Sequence, residues 1–150
     1  MSNESEGGEL GLSSEAVNAK STVLVADDDE AVRESVADIL ALSGYDVLQA
    51  TDGGEALRVL AQQSVDVLLL DMAMPNVDGL SVLEALGPPP PKVVLLSAFA
   101  YYSPEDIDRR GLGGKVTRAL VKPCQPAELL AAVNDAIAGL TGRRVASRAG

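Results

Sequence analysis

The 150-residue sequence predicts a doubly wound α/β domain built on a five-stranded parallel sheet. Three observations predict it. Apolar residues fall in short consecutive runs such as Val67-Leu68-Leu69-Leu70, the pattern of a strand buried on both faces. Stretches with helical apolar spacing stand between these runs, so the chain reads strand-helix five times over, with no internal repeat. The residues able to do chemistry close the runs: Asp27 and Asp28, Asp71, Ser97 and Lys122. In open α/β sheets that carboxyl edge is where ligands bind. Right-handed crossovers then leave few arrangements of the strands.

The elements follow in order. Residues 1–20 are rich in Ser, Glu and Gly without an apolar period, and are expected to be a disordered arm. Thr22 to Ala26 forms the first strand. A helix follows in which Val32, Val36, Ile39 and Leu40 make one buried face, stopped by Gly44. Asp46 to Ala50 is the second strand. Asp52 and Glu55 have capping-box spacing and open a helix that buries Ala56, Leu57 and Leu60. Val67 to Leu70 ends at Asp71, and the Pro, Asn, Asp and Gly that follow are loop chemistry.

Gly79 to about Leu86 is a short third helix, ended by Gly87 and Pro88 to Pro91. The proline run reads as a stiff loop, with a ligand for a Pro-recognising module as the alternative. Val93 to Leu96 is the fourth strand, closed by Ser97. Ser103 caps a fourth helix with Pro104 at its first position, and Gly111, Gly113 and Gly114 break it. Val116 to Val121 is the fifth strand. The last helix starts at Pro126 and places Leu129, Val133, Ile137 and Leu140 on one face. The domain is thus expected over 21–140, with a frayed basic tail at 141–150 carrying Arg143, Arg144 and Arg148.

Composition narrows the function. A net charge of −10 argues against nucleic-acid binding, which needs a basic face for phosphates. A single cysteine, Cys124, rules out an internal disulfide framework and a multi-cysteine zinc site. The absence of histidine removes His-based catalysis and His metal sites. No signal segment follows Met1 and no apolar run reaches transmembrane length. These features predict a cytoplasmic protein without membrane insertion.

The strand ends bring three carboxylates, a hydroxyl and an ammonium toward one edge. Crowded carboxylates repel unless a cation or protons intervene. Oxygen ligands alone favour Mg²⁺, Mn²⁺ or Ca²⁺, and a few carboxylates with open positions suit Mg²⁺. A carboxylate beside such an ion can attack phosphorus and become an aspartyl phosphate. Each residue also has a plainer reading: a turn-capping Asp or Ser, or a solvated Lys.

The blocks Val23-Leu24-Val25-Ala26-Asp27-Asp28-Asp29-Glu30, Leu70-Asp71-Met72-Ala73-Met74-Pro75-Asn76-Val77-Asp78-Gly79, Leu96-Ser97-Ala98 and Lys122-Pro123 decide between them. Together they resemble the CheY-like receiver domain of bacterial two-component response regulators, over about Thr22 to Leu140. The resemblance implies the flavodoxin-like (βα)5 fold with strand order 2-1-3-4-5. It implies Asp71 as phosphoacceptor, with Mg²⁺ (or Mn²⁺ in its place) held by Asp28, Asp71 and the backbone carbonyl of Ala73, and by Asp27 through a water. Ser97 would bind a phosphoryl oxygen and Lys122 would pair with the modified Asp71. The peptide before Pro123 would be cis, as in the family. The phosphodonor would be a histidine kinase or phosphotransfer protein. Self-phosphorylation from small phosphodonors and autodephosphorylation would accompany a signalling role rather than an enzymatic one.

The sequence departs from the family pattern at Ala119, where a switch aromatic is usual, and at Ser97, where Thr is commoner. Ala73 and Phe99 stand at positions that tune phosphoryl lifetime, and Cys124 follows Lys122-Pro123 where Phe is common. Tyr101 and Tyr102 are candidates to replace the missing aromatic. Ten residues follow Leu140, so output is expected through an unidentified protein partner at the surface of the fourth and fifth helices, or by onward phosphotransfer. Two other classes compete. A phosphorylation-independent interaction module could keep the fold. A haloacid-dehalogenase-like phosphatase would need an Asp where Ala73 stands.

Overall fold

The structure is a computed structural model that describes residues 20–74, 76–97 and 104–149. The arm expected at 1–20 (Lys20 excepted), Pro75, Ala98, Phe99, Tyr101, Tyr102 and the expected cap Ser103 lie outside the described residues. Strands β1 (Thr22–Ala26), β2 (Asp46–Ala50), β3 (Val67–Asp71), β4 (Lys92–Ser97) and β5 (Val116–Val121) form one sheet in the order β2-β1-β3-β4-β5. Every pairing is parallel. This is the flavodoxin-like fold. Helices α1 (Glu30–Leu42), α2 (Gly53–Gln62), α3 (Gly79–Ala85), α4 (Pro104–Arg109) and α5 (Pro126–Ala149) connect the strands and close the chain, with a short 3₁₀ turn at Gly113–Lys115.

Alternate residues of a strand face opposite sides of the sheet, and both sides are covered. Leu24, Ala26, Leu68, Leu70 and Leu95 pack with Ala56 of α2, Leu80 and Leu83 of α3, and Ile107 of α4. Val23, Val25, Leu69, Val94 and Leu96 pack with Leu40 of α1 and with Leu129, Ala132 and Val133 of α5. All five residues of β3 are buried, as the central strand of such a sandwich must be. At the edge, β5 leaves Thr117, Arg118 and Ala119 exposed and buries only Leu120.

Local chemistry starts and stops the helices as their sequences predict. Asp29, Asp52 and Asp78 are N-caps whose side chains accept from the backbone N–H of Val32, Glu55 and Ser81. The expected capping box at α2 is shifted by one residue. Glu55 reaches back to the N–H and hydroxyl of Thr51, at 2.7 and 2.8 Å, rather than to Asp52. Gly44 and Gly111 follow α1 and α4 at φ 99° and 75°, the left-handed region that glycine enters without strain.

Two expectations are corrected. The buried line of α1 is Arg33, Ala37 and Leu40, while Val32, Val36 and Ile39 are half-buried. Small Ala37 lets the helix approach the sheet, and Arg33 is accepted inside because its guanidinium finds hydrogen-bond acceptors. The frayed tail expected from 141 is instead helix to Ala149. Gly142 costs about 1 kcal/mol against alanine, too little by itself to stop a helix already propagating from Pro126. On its buried side α5 presents Leu129, Ala132, Val133 and Ala136, with Ile137 half-buried; the side chain of Leu140 lies outside the described residues.

Candidate functional site

β1 and β3 are neighbours in the sheet and end level, Ala26 pairing with Leu70, so Asp27 and Asp71 leave the same edge side by side. Asp27 is 1% and Asp71 4% exposed, whereas Asp28, one residue further on, is exposed. One carboxylate oxygen from each of Asp27, Asp28 and Asp71 lies within 4.8 Å of the other two. Lys122 reaches this group from the end of β5. Its Nζ is 2.9 Å from Asp27 Oδ2 and 3.4 Å from Asp71 Oδ2. The peptide joining Lys122 to Pro123 is cis.

Backbone hydrogen bonds hold the group in place. The Lys122 N–H donates to the Ser97 carbonyl at 2.9 Å, which ties the end of β5 to the end of β4. The Met72 N–H donates to the Leu96 carbonyl at 3.0 Å, and the Ala73 N–H to Asp71 Oδ1 at 3.2 Å. Ser97 closes β4 one register position beyond Leu96, the partner of Asp71. Gly79 is required where α3 begins, because a Cβ there would stand 2.7 Å from the Asp71 carbonyl oxygen. Gly53 meets the same loop from α2: its Cβ would come within 2.1 Å of the Val77 carbonyl oxygen.

Burial, and then the charge of Asp27, push the Asp71 carboxyl up to about 6, against the Ala73 N–H and Lys122. For Lys122, burial works to lower the pKa, but the contacts with Asp27 and Asp71 outweigh it and hold the ammonium above its ordinary value. Three carboxylates against one ammonium leave the cluster with excess negative charge. The donor set is all oxygen, clustered and partly open to solvent, and so it fits a hard divalent cation.

Of the residues expected from sequence, Asp27, Asp28, Asp71 and Lys122 are thus brought together directly, with Ala73 and Ser97 beside them on the same edge. Arg33 and Gln49 were not among them. Arg33 Nε donates to Gln49 Oε1 at 2.9 Å, and its NH1 donates to the Asp27 carbonyl at 3.0 Å. The available signal was the spacing of Arg33 with Ala37 and Leu40, four and seven residues on, which a charge at the first position masked.

Residues 23–134 match the response regulator receiver domain. The chain belongs to that family. It is 39% identical over 116 residues to the response regulator MprA of Mycobacterium leprae (strain TN), a match covering 74% of this chain and 48% of that protein. Over 64 residues it is 50% identical to MprA of Mycobacterium tuberculosis (strain ATCC 25177 / H37Ra), covering 43% of this chain and 28% of that protein. The chain therefore spans about half the length, or less, of these curated relatives. Among solved structures, a CheY-like receiver domain protein from Methanospirillum hungatei JF-1 superposes with TM-score 0.75 at 25% identity, covering 83% of this chain and 99% of that one. The chemotaxis response regulator CheY4 of Vibrio cholerae superposes with TM-score 0.69 at 29% identity, covering 79% and 99%.

This receiver domain is accordingly a signalling domain of two-component systems rather than an enzyme in the ordinary sense. Receiver domains bind Mg²⁺ at an acidic pocket and interact with histidine kinases and downstream effectors. Among the described residues no helix is long and apolar enough to cross a membrane.

Proposed function

We propose that Asp71 accepts a phosphoryl group from a phosphohistidine of a kinase or phosphotransfer protein. An Asp71 carboxylate oxygen attacks phosphorus; the P–N bond breaks, and the imidazole leaves with the electron pair and takes a proton from solvent. One observation carries this reading: Asp71 is a buried carboxylate at the end of the central strand, 3.4 Å from Lys122 and clustered with Asp27 and Asp28. Asp28, Asp71 and the Ala73 carbonyl, with Asp27 through a water, are the groups to hold Mg²⁺ or Mn²⁺. When bound, the ion offsets charge on the carboxylates and on the phosphoryl oxygens. Lys122 follows the negative charge as it moves from the carboxylate to the phosphoryl group, and the Ser97 hydroxyl donates to a phosphoryl oxygen.

The phosphorylated receiver signals by a two-state change that alters a protein-binding surface, or by passing the group onward. The absence of a nucleic-acid partner is proposed for the residues of this chain alone, since the curated relatives are longer. The acidic composition supports it.

Intact mass after incubation with acetyl phosphate and Mg²⁺ tests the reading. One phosphoryl increment is expected, absent from Asp71→Asn and absent with EDTA. No increment, together with no response to beryllofluoride, would sink it. A specific observation favours a second reading, the phosphorylation-independent module: residue 119 is an exposed alanine on β5, so the usual switch aromatic is missing. Equal partner binding by wild type and Asp71→Asn, with and without phosphodonor, would support that alternative.

A further inference from the structure

Among the described residues, Arg33 is the one basic side chain counted as buried, 8% exposed, and the transfer chemistry above gives it no task. It sits under the acidic cluster. We propose that Arg33 is a positioning residue that holds Asp27 in the geometry needed for the divalent cation; this rests on the reading of the cluster as a Mg²⁺ site.

The backbone and side chain of Asp27 are held at four points. Its N–H donates to the Ala50 carbonyl at 3.1 Å, and its own carbonyl accepts from Arg33 at 3.0 Å. Oδ1 accepts from the Asp29 N–H and Oδ2 from Lys122, both at 2.9 Å. Arg33 and Ala50 thus fix the Asp27 backbone, and β2 supplies the anchor for both, because Gln49 holds the other arm of the guanidinium at 2.9 Å. A cation reaching Asp27 through a water would compete with Lys122 for its carboxylate. The backbone clamp is then what keeps Asp27 facing the site.

The guanidinium suits this task better than any other cation. It is a rigid fork with several donors, and here one edge takes a side-chain amide while another takes a main-chain carbonyl. Lysine would keep the charge but not the two directed bonds. Loss of Arg33 leaves the Asp27 carbonyl buried without this donor and frees the turn that carries both Asp27 and Asp28. Groups that orient metal ligands from behind typically govern about 10–100-fold in metal affinity.

The test is calorimetric titration of Mg²⁺ into the metal-stripped 150-residue chain: wild type, Arg33→Gln, Arg33→Lys, Gln49→Ala and Asp71→Asn. Stability in EDTA is measured in parallel. Arg33→Gln is expected to weaken Mg²⁺ binding about 10–100-fold, and Arg33→Lys to recover little of it. Gln49 is exposed, so its truncation keeps the fold and is expected to weaken binding about three- to tenfold, the worth of one directed bond. Unchanged affinity in a folded Arg33→Gln protein, with only stability lost, would overturn the positioning role. Full rescue by lysine would overturn it too, since charge alone would then suffice. Should Arg33→Gln not fold, Gln49→Ala decides, and unchanged affinity there overturns the role. A wild type that binds no Mg²⁺, or binds it equally well as Asp71→Asn, would instead sink the cation site and this inference with it.

Discussion

Asp71 is held in a place that costs the fold stability. Burial and Asp27 raise its pKa to about 6, above the ordinary carboxylate value of about 4. The folded state therefore binds this proton more tightly than the unfolded state, and metal-free stability falls as pH rises from about 4 to about 6. Above that range the penalty is complete. Asp71→Asn removes it, so the variant is expected to be more stable than wild type at pH 7.5 without metal, on the order of 1–3 kcal/mol. The gap should close below pH 4, where both forms of the wild type carry the proton. Urea unfolding in EDTA at the two pH values checks this, and a variant less stable than wild type at pH 7.5 would contradict it.

Gly53 makes a second prediction at this scale. At the first turn of α2 alanine is intrinsically the better helix residue, by up to about 1 kcal/mol. Yet its Cβ would stand 2.1 Å from the Val77 carbonyl oxygen, a backbone atom with nowhere easy to go. Gly53→Ala is expected to destabilise the fold by about 1–3 kcal/mol, as read by urea unfolding, and a stabilised variant would show that the loop after Asp71 does not rest on α2.

Among the elements, what could be read in the sequence follows from how each is buried. β1, β3 and β4 are covered on both faces, so each carries a continuous apolar run of strand length, Val23 to Ala26, Val67 to Leu70 and Val93 to Leu96. The chemistry at their ends was legible for the same reason: a carboxylate that closes such a run has nowhere to be but the sheet edge. The strand order was legible only through the family resemblance, because apolar runs do not say which strand lies beside which. α1 was phased by its aliphatic residues, and the structure turns it toward Arg33, which no hydrophobic pattern would place inside. That miss also hid the support behind Asp27.

β5 is legible at its ends and not in its middle, because an edge strand needs no continuous apolar run. Its exposed Thr117, Arg118 and Ala119 contribute surface rather than core. Ala119→Tyr should therefore change stability by no more than about 0.5 kcal/mol, measured by thermal unfolding. A larger loss would mean that the ring at this position must be housed inside the fold even without phosphate.

For the whole molecule, two apolar layers cover the sheet while its carboxyl edge carries uncompensated charge, and a cation bound there as proposed would couple its binding to folding. A ligand that binds only the folded state raises its stability by mass action, about 2.7 kcal/mol at one hundred times the dissociation constant. Mg²⁺ should give wild type this lift at pH 7.5, and EDTA should remove it. With Asp71 among the ion's ligands, as proposed, protons and Mg²⁺ would compete for a carboxyl that burial and Asp27 push up to about 6. Below that value each further pH unit should weaken the apparent Mg²⁺ affinity about tenfold, since one proton must leave as the ion enters. Asp71→Asn should lose most of the lift at pH 7.5 as well as the pH dependence, because its amide neither titrates nor offers a negative ligand. Thermal unfolding at fixed Mg²⁺ from pH 5 to 8 reads both effects. A lift that stays constant across that range would place the ion away from Asp71.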